Sequence, residues 1–280
     1  MKFKFILLFV LIHNALLYAQ VETIILPKGD SSIRISKTSI TPFFSIYVDK
    51  NETIYLEGKR IELYNLAKTL AYNRSKLNHE WQFNIKIYLY LDVALEYTIV
   101  DKIKTELASV SFVNLYFKTN TIEDKDILTG IYLKNHLSFF NLDAIKNIST
   151  LKQEEKNKKD LALLPPPPPP MACENELIYR VYTDQQNVID EVLEGKKYIK
   201  AILSNESLKL NNLTIRFDNV KMLLQLFEDY EIIFISFDSE LLYSNYLEFL
   251  NISKSLNKKS IVVELSNEIK EIHKKAKVQF

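Results

Sequence analysis

The chain has 280 residues, a formal net charge of +1, 47% hydrophobic and 25% charged residues. That is long enough for two ordinary cores, and the charge balance gives no reason to expect nucleic acid or an acidic surface as partner. Four glycines are too few for a glycine-rich phosphate loop, and the single cysteine, Cys173, excludes an intrachain disulfide and a multi-cysteine zinc site.

In MKFKFILLFVLIHNALLYAQ, Lys2 and Lys4 precede the apolar run Phe5–Ile12, and a short segment ends at Ala19. A charged start, a short apolar run and a small residue make a secretory signal peptide, residues 1–19, cleaved after Ala19. The alternative is an uncleaved anchor. His13 and Asn14 interrupt the run, which falls short of the ~20 apolar residues a membrane span needs.

Residues 20–145 form the first expected domain. SIYVDKNETIYLEGKRIEL, residues 45–63, alternates apolar and polar around two turns, Asp49–Glu52 and Glu57-Gly58, and Gly58 can supply a positive φ. Leu63, Leu66 and Leu70 then recur at helical spacing. FNIKIYLYL, residues 83–91, has a strand period, with Tyr88 and Tyr90 on its polar phase. After Asp92, a helical stripe runs Tyr97, Val100, Ile103, Leu107, Val110. VNLYFKT, residues 113–119, closes the unit as a strand. The expected order is ββαβαβ.

Residues 146–170 change character. KNISTLKQEEKNKKD is polar and solvated, and six prolines follow at 165–170. Six prolines form a polyproline II rod of about 19 Å. This reads as a spacer holding two bodies apart; a proline-rich ligand for a peptide-binding module is the other reading.

Residues 171–280 form the second expected domain, and its series repeats the first. AILSNESLKLNNLTIRF, residues 201–217, matches the hairpin, with the turn Asn211-Asn212 in place of Glu57-Gly58. Phe217, Val220 and Leu224 match Leu63, Leu66 and Leu70. EIIFISF, residues 231–237, matches the alternating strand; Tyr246, Phe249 and Leu256 continue a helical stripe, and IVVELS, residues 261–266, is the last strand. Two series in one order imply an internal duplication.

The strand-to-helix junction therefore occurs twice, as LDVALEY with Asp92 and Tyr97, and as FDSELLY with Asp238 and Tyr243. Each Asp is expected to accept N–H bonds at the start of the following helix, a cap worth roughly 1 kcal/mol. Each Tyr is expected near the end of the first turn, its ring on the sheet and its hydroxyl on water or backbone.

IILPKGD at 24–30, TIYLEG in the first hairpin, LYNLAKTL in the first helix and IKIYLYLDVALEYTIVDKIKTEL together resemble the periplasmic domain of the ExbD/TolR family, the small subunits of proton-driven inner-membrane motors. The resemblance covers about residues 23–119 and, more weakly, 200–266. It implies an α+β fold of two small mixed-sheet domains, a periplasmic location and self-association. The family's membrane helix with its proton-carrying Asp is missing, since residues 1–20 hold no acidic residue, so the motor activity is not carried over.

The remaining residues point away from catalysis. His79, His136 and His273 lie far apart, with no i, i+4 partner, so no metal site is expected. Cys173 has no base near it, no Gly-x-Ser-x-Gly is present, and the tail KEIHKKAKVQF reads as solvated. No cofactor and no catalytic residue are assigned. A sheet face covered by a partner chain would explain Tyr88 and Tyr90. The expectation is a non-enzymatic periplasmic binding and assembly protein, accessory to an inner-membrane energy-transducing transport complex. It would pair with itself or with an ExbD-like membrane subunit. The alternatives are a peptidoglycan recognition module or, if residues 5–19 are not cleaved, an inner-membrane-anchored ExbD-like transporter subunit.

Overall fold

A computed structural model describes residues 24–28, 33–36, 42–82, 85–119, 127–135, 181–182, 186–211, 213–217, 220–256 and 260–278. The expected signal peptide, the spacer at 146–170, Cys173, His136 and Asn212 lie outside the described residues, as does the side chain of His273.

The first half runs β1 (Ile33–Ser36), β2 (Phe43–Val48), β3 (Ile54–Leu56), β4 (Lys59–Ile61), α1 (Leu63–Ser75), β5 (Lys86–Leu91), α2 (Tyr97–Ser109), β6 (Asn114–Lys118) and β7 (Ile127–Lys134). The second runs α3 (Gln186–Val192), β8 (Tyr198–Leu203), β9 (Ser207–Leu210), β10 (Leu213–Arg216), α4 (Leu223–Phe227), β11 (Ile232–Phe237), α5 (Tyr243–Leu256), β12 (Ile261–Leu265) and α6 (Asn267–Val278). The fold is α+β, with two mixed sheets interleaved with helices. The first sheet has the order β1-β7-β6-β5-β2-β3-β4 and the second β10-β9-β8-β11-β12.

Within these, β4-β3-β2-β5-β6 and β10-β9-β8-β11-β12 are the same arrangement. In each, three strands are parallel and the two meander strands antiparallel. The repeat read from the sequence is thus a structural repeat, with one correction. Each unit begins with a three-stranded meander rather than a two-stranded hairpin, because both turns in residues 45–63 reverse the chain. At Asp49–Glu52 the Asp49 carboxylate accepts from the N–H groups of Asn51 and Thr53, both at 2.9 Å, and Glu52 takes a φ of 61°. Glu57 and Gly58 have φ of 50° and 77°, and Asn211 has 51°, the left-handed conformations that the turn residues were read to supply.

Alternation decides which face of each strand is buried. Ile46, Val48, Ile87, Leu89, Leu91, Leu115, Phe117 and Ile131 point one way, into a core shared with the helices. Leu66 and Leu70 of α1 meet that core as their spacing predicts. The stripe on α2 does the same, but that helix is buried beyond its stripe: Asp101, Lys104 and Thr105 are also covered. An amphipathic helix buried on its polar side has a second body against it, and here that body is the other unit.

Four elements escaped the sequence reading, among them the helix α3 ahead of β8. β7 and β1 extend the first sheet beyond β6, and α6 turns the basic C-terminal tail into a helix anchored by the buried Ile269. At Gly130 in β7, an added Cβ would stand 2.5 Å from the Phe117 carbonyl oxygen in the neighbouring strand. The backbones are too close for a side chain. Gly130→Ala should cost about 1–3 kcal/mol, read as a lower urea midpoint with the m-value unchanged.

Candidate functional site

The site is the seam between the two units, and it is built from the duplicated junctions themselves. After β5 the Asp92 N–H bonds to the Val48 carbonyl (3.0 Å), and after β11 the Asp238 N–H bonds to the Leu203 carbonyl (2.8 Å). Each carboxylate then accepts from the N–H two residues on, Asp92 from Ala94 at 2.9 Å and Asp238 from Glu240 at 3.0 Å. These are Asx turns, which a short side-chain carboxylate forms readily. They correct the expectation of helix caps: α2 is preceded by Glu96, which makes no side-chain cap bond. Asp92 does one thing more. Its other oxygen accepts from the Ile25 N–H at 2.9 Å, while Val93 donates to the Ile25 carbonyl at 2.8 Å, so the Leu-Pro-Lys segment is tied to the first junction alone.

The turns present the next residues edge-on to each other. Tyr97 N–H donates to the Leu241 carbonyl at 2.7 Å, and Tyr243 N–H donates to the Leu95 carbonyl at 2.8 Å. Glu96 and Leu242 form the antiparallel bridge between them. Leu95 and Tyr97 occupy in the first unit the places that Leu241 and Tyr243 occupy in the second, so the contact is reciprocal. This is the geometry of a two-fold dimer interface, made within one chain. Both tyrosines are the first residues of their helices and fully buried, rather than at the end of the first turn.

Behind the bridge lies a buried group of charges. Lys104 of α2 pairs with Glu264 of β12; the lysine is 2% exposed and the glutamate 18%. Lys104 Nζ also donates to the Tyr246 hydroxyl at 2.9 Å. The Tyr97 hydroxyl donates to Glu264 at 2.7 Å, and Tyr246 lies 3.2 Å from the other carboxylate oxygen. One turn before Lys104, Asp101 accepts from the Glu268 N–H at the start of α6 (3.0 Å), while its Oδ1 has no partner among the described residues. Burial raises the Asp101 carboxyl, against the opposing pull of Lys104 and of the Glu268 N–H. Burial first, and then the charges of Asp101 and Glu264, push the Tyr97 hydroxyl well above its ordinary range; Tyr246 is raised by burial and then by Glu264. These hydroxyls are held as neutral donors. Tyr182 joins the rim, accepting the Ser266 N–H at 2.7 Å and packing with Ala108 and Ile269.

The cluster is one-sided. Matching Asp92 to Asp238 sets Asp101 over Leu247 and Lys104 over Leu250, and the strand registers set Glu264 over Phe117. Every charge on one side of the pseudo-two-fold is apolar on the other. The Tyr243 hydroxyl, twin of Tyr97's, accordingly has no hydrogen-bond partner among the described residues; its ring lies 6.1 Å from Phe117.

Of the residues singled out from sequence, Tyr97 and Tyr243 each bond to the opposite unit at the seam and Asp92 and Asp238 form the turns that lead to it, while Gly58 and Asn211 remain in hairpin turns. Asp101, Lys104 and Glu264 were not found. The one signal was Glu264, a charge inside the otherwise apolar run of IVVELS. Among the described residues no group of three or more His, Cys, Asp or Glu is placed to hold a metal ion, and no helix is long and apolar enough to cross a membrane.

No family model matches the chain, and no curated protein matches it. A crystal structure of a Bacteroides thetaiotaomicron protein with an actin-like ATPase fold and unknown function is similar at 10% identity. The match covers 89% of this chain and 100% of that one, with a TM-score of 0.22, too low to bear on fold or function.

Two measurements test the cluster. Lys104→Leu leaves the buried Asp101 and the partly buried Glu264 without their cation and should cost about 3–5 kcal/mol. Combining it with Glu264→Phe and Asp101→Asn removes all three charges, sets Leu and Phe where the other half has Leu250 and Phe117, and should recover most of that loss in urea unfolding. Asp101→Asn alone keeps the acceptor for the Glu268 N–H and removes the surplus charge. Since the folded carboxyl is raised above its ordinary 3.8, its ionisation costs stability as pH climbs past that value. The variant should be more stable than wild type at pH 7, and the difference should shrink towards pH 4.

Proposed function

We propose that the chain is a non-enzymatic assembly protein of the periplasm, composed of two ExbD/TolR-like units and accessory to an inner-membrane energy-transducing transport complex. The observation that carries this reading is the reciprocal bonding of Tyr97 and Tyr243 across the two units. A self-associating family would make such a contact between two copies; here the copies are fused. The order of each unit, a meander followed by helix, strand, helix and strand, agrees with the ExbD/TolR-like segments read from the sequence. The buried charges favour a structural role over a catalytic one, because Lys104, Glu264, Tyr97 and Tyr246 satisfy one another. With the pairing contact used internally, the partner that completes the complex is a membrane-anchored ExbD-like subunit docking elsewhere on the surface.

The test is in-cell crosslinking of the tagged chain in its own host, with N-terminal sequencing of the recovered protein. A chain starting at Gln20 and crosslinked to an ExbD-like membrane subunit is the expected result. Recovery with wall polymer and no protein partner overturns it in favour of peptidoglycan recognition. A membrane-bound chain still starting at Met1 makes it an anchored subunit instead.

A further inference from the structure

The outer side of α1 carries a ridge that packing does not explain. Leu66 and Leu70 turn into the core, and four-residue steps on the opposite side bring Tyr64, Lys68, Tyr72 and Lys76 into one row. All four are exposed, Tyr64 at 75% and Tyr72 at 61%. The row alternates aromatic ring and cation over about 18 Å. Its last two members touch: the Lys76 ammonium stands 4.0 Å from the centre of the Tyr72 ring. Arg74 is not part of the row, since its guanidinium donates to the Val110 carbonyl at 2.7 Å and lies over Phe112. No acidic residue occurs from Leu63 to His79, a run bracketed by Glu62 and Glu80. Lys59, exposed on the edge strand β4, pairs across from the buried Leu56 and so stands on the α1 side of the sheet. The whole-chain balance of +1 therefore hides a local excess of positive charge.

The repeat shows that the fold does not require this ridge. In the second unit the corresponding stretch is a 3-10 turn, Val220–Met222, followed by the short α4. Its exposed side chains are Met222, Gln225, Glu228 and Asp229. The exposed charges there are acidic, and no aromatic ring is exposed.

We infer that this ridge rests on a bilayer surface of anionic phospholipid. The headgroup layer suits both residue types. Lysine ammonium groups reach the phosphates on flexible apolar stems, and a tyrosine sets its ring among the upper acyl carbons with its hydroxyl at the headgroups. Charge complementarity selects an anionic surface over a neutral one. Each cation close to such a surface gives roughly fivefold in partitioning, so Lys68 and Lys76 together give about 25-fold. Shape favours lipid over a protein partner. A single convex helix row offers far less than the roughly 1,000 Å² that a stable protein interface buries, whereas a deformable headgroup layer closes around it. This inference goes beyond the proposed function and needs no protein partner, so the two stand or fall separately.

The experiment is tyrosine nitration of the full chain, read residue by residue by mass spectrometry, with and without lipid vesicles. Vesicles containing one third phosphatidylglycerol should slow Tyr64 and Tyr72 several-fold and leave Tyr198 and Tyr230 of the second unit unchanged. Neutral phosphatidylcholine vesicles should protect neither, and high salt should release the protection. Lys68→Glu combined with Lys76→Glu, both at exposed positions, should abolish it while circular dichroism shows the fold kept. Each tyrosine reports for itself, so an apolar N-terminal segment inserting into the vesicles does not by itself select Tyr64 and Tyr72. Unprotected Tyr64 and Tyr72 on anionic vesicles overturn the inference. So does equal protection by neutral vesicles, and so does protection that survives the double substitution. Protection by polyglutamate or by purified peptidoglycan, but not by vesicles, also overturns it and would make the ridge a site for an acidic protein or for wall polymer.

Discussion

Two backbone hydrogen bonds, Tyr97 N–H to Leu241 and Tyr243 N–H to Leu95, fix the rest of the arrangement. Each helix leaves its strand through an Asx turn, and the turn sets the angle at which the first helical N–H points outward. Once the two N–H groups find each other's carbonyls, the helices α2 and α5 must lie against the seam. Their first residues, both tyrosine, are then driven into the interior. Backbone donors at a helix start have no intrahelical partner and must be satisfied somewhere. Here each unit supplies what the other lacks.

The charge cluster follows from that constraint. Sealing the seam takes one face of α2 out of water, including Asp101 and Lys104, which on an isolated unit would be solvated. Lys104 finds Glu264 on the opposite sheet, and the pair draws in the hydroxyls of Tyr97 and Tyr246. A cluster of this kind adds little net stability over a well-packed apolar alternative, and the apolar alternative exists in the same molecule, as Leu247, Leu250 and Phe117. What the charged version adds is discrimination. It fits only a surface that presents Glu264 and Tyr246 at the right place.

Local signals carried most of the fold. The period-2 run before Asp92, the stripe through Tyr97, Val100, Ile103 and Leu107, and the turn residues Gly58 and Asn211 each depend on neighbours in the chain, so they could be read directly. The duplication was legible because those signals recur in one order. What stayed hidden depends on contacts between distant residues. β7 is a strand because β6 has an edge to fill. α6 is packed because Ile269 reaches Ala108 and Tyr182 across the seam. Asp101 and Lys104 stand off the apolar stripe of α2, and nothing local says that a second body covers them. The junction was read as an Asp cap and a Tyr late in the first turn; the tighter Asx turn takes each Asp carboxylate instead and leaves each Tyr as the first residue of its helix.

Carrying both units on one polypeptide changes the arithmetic of their contact. Two separate chains must find each other in solution, and dilution separates them whenever the contact is weak. Two units on one polypeptide face each other at an effective concentration that linker length sets, of millimolar order for short flexible connections. The seam can therefore rest on two reciprocal backbone hydrogen bonds, one charge cluster and a few tyrosines without coming apart at low expression. Fusion also frees the halves from having to mutate in step. In a homodimer a lysine on one side appears on the other as well, facing its own like charge or a partner that must serve both. In this chain Lys104 could arise on one side alone, and the opposite side was left to answer with a glutamate.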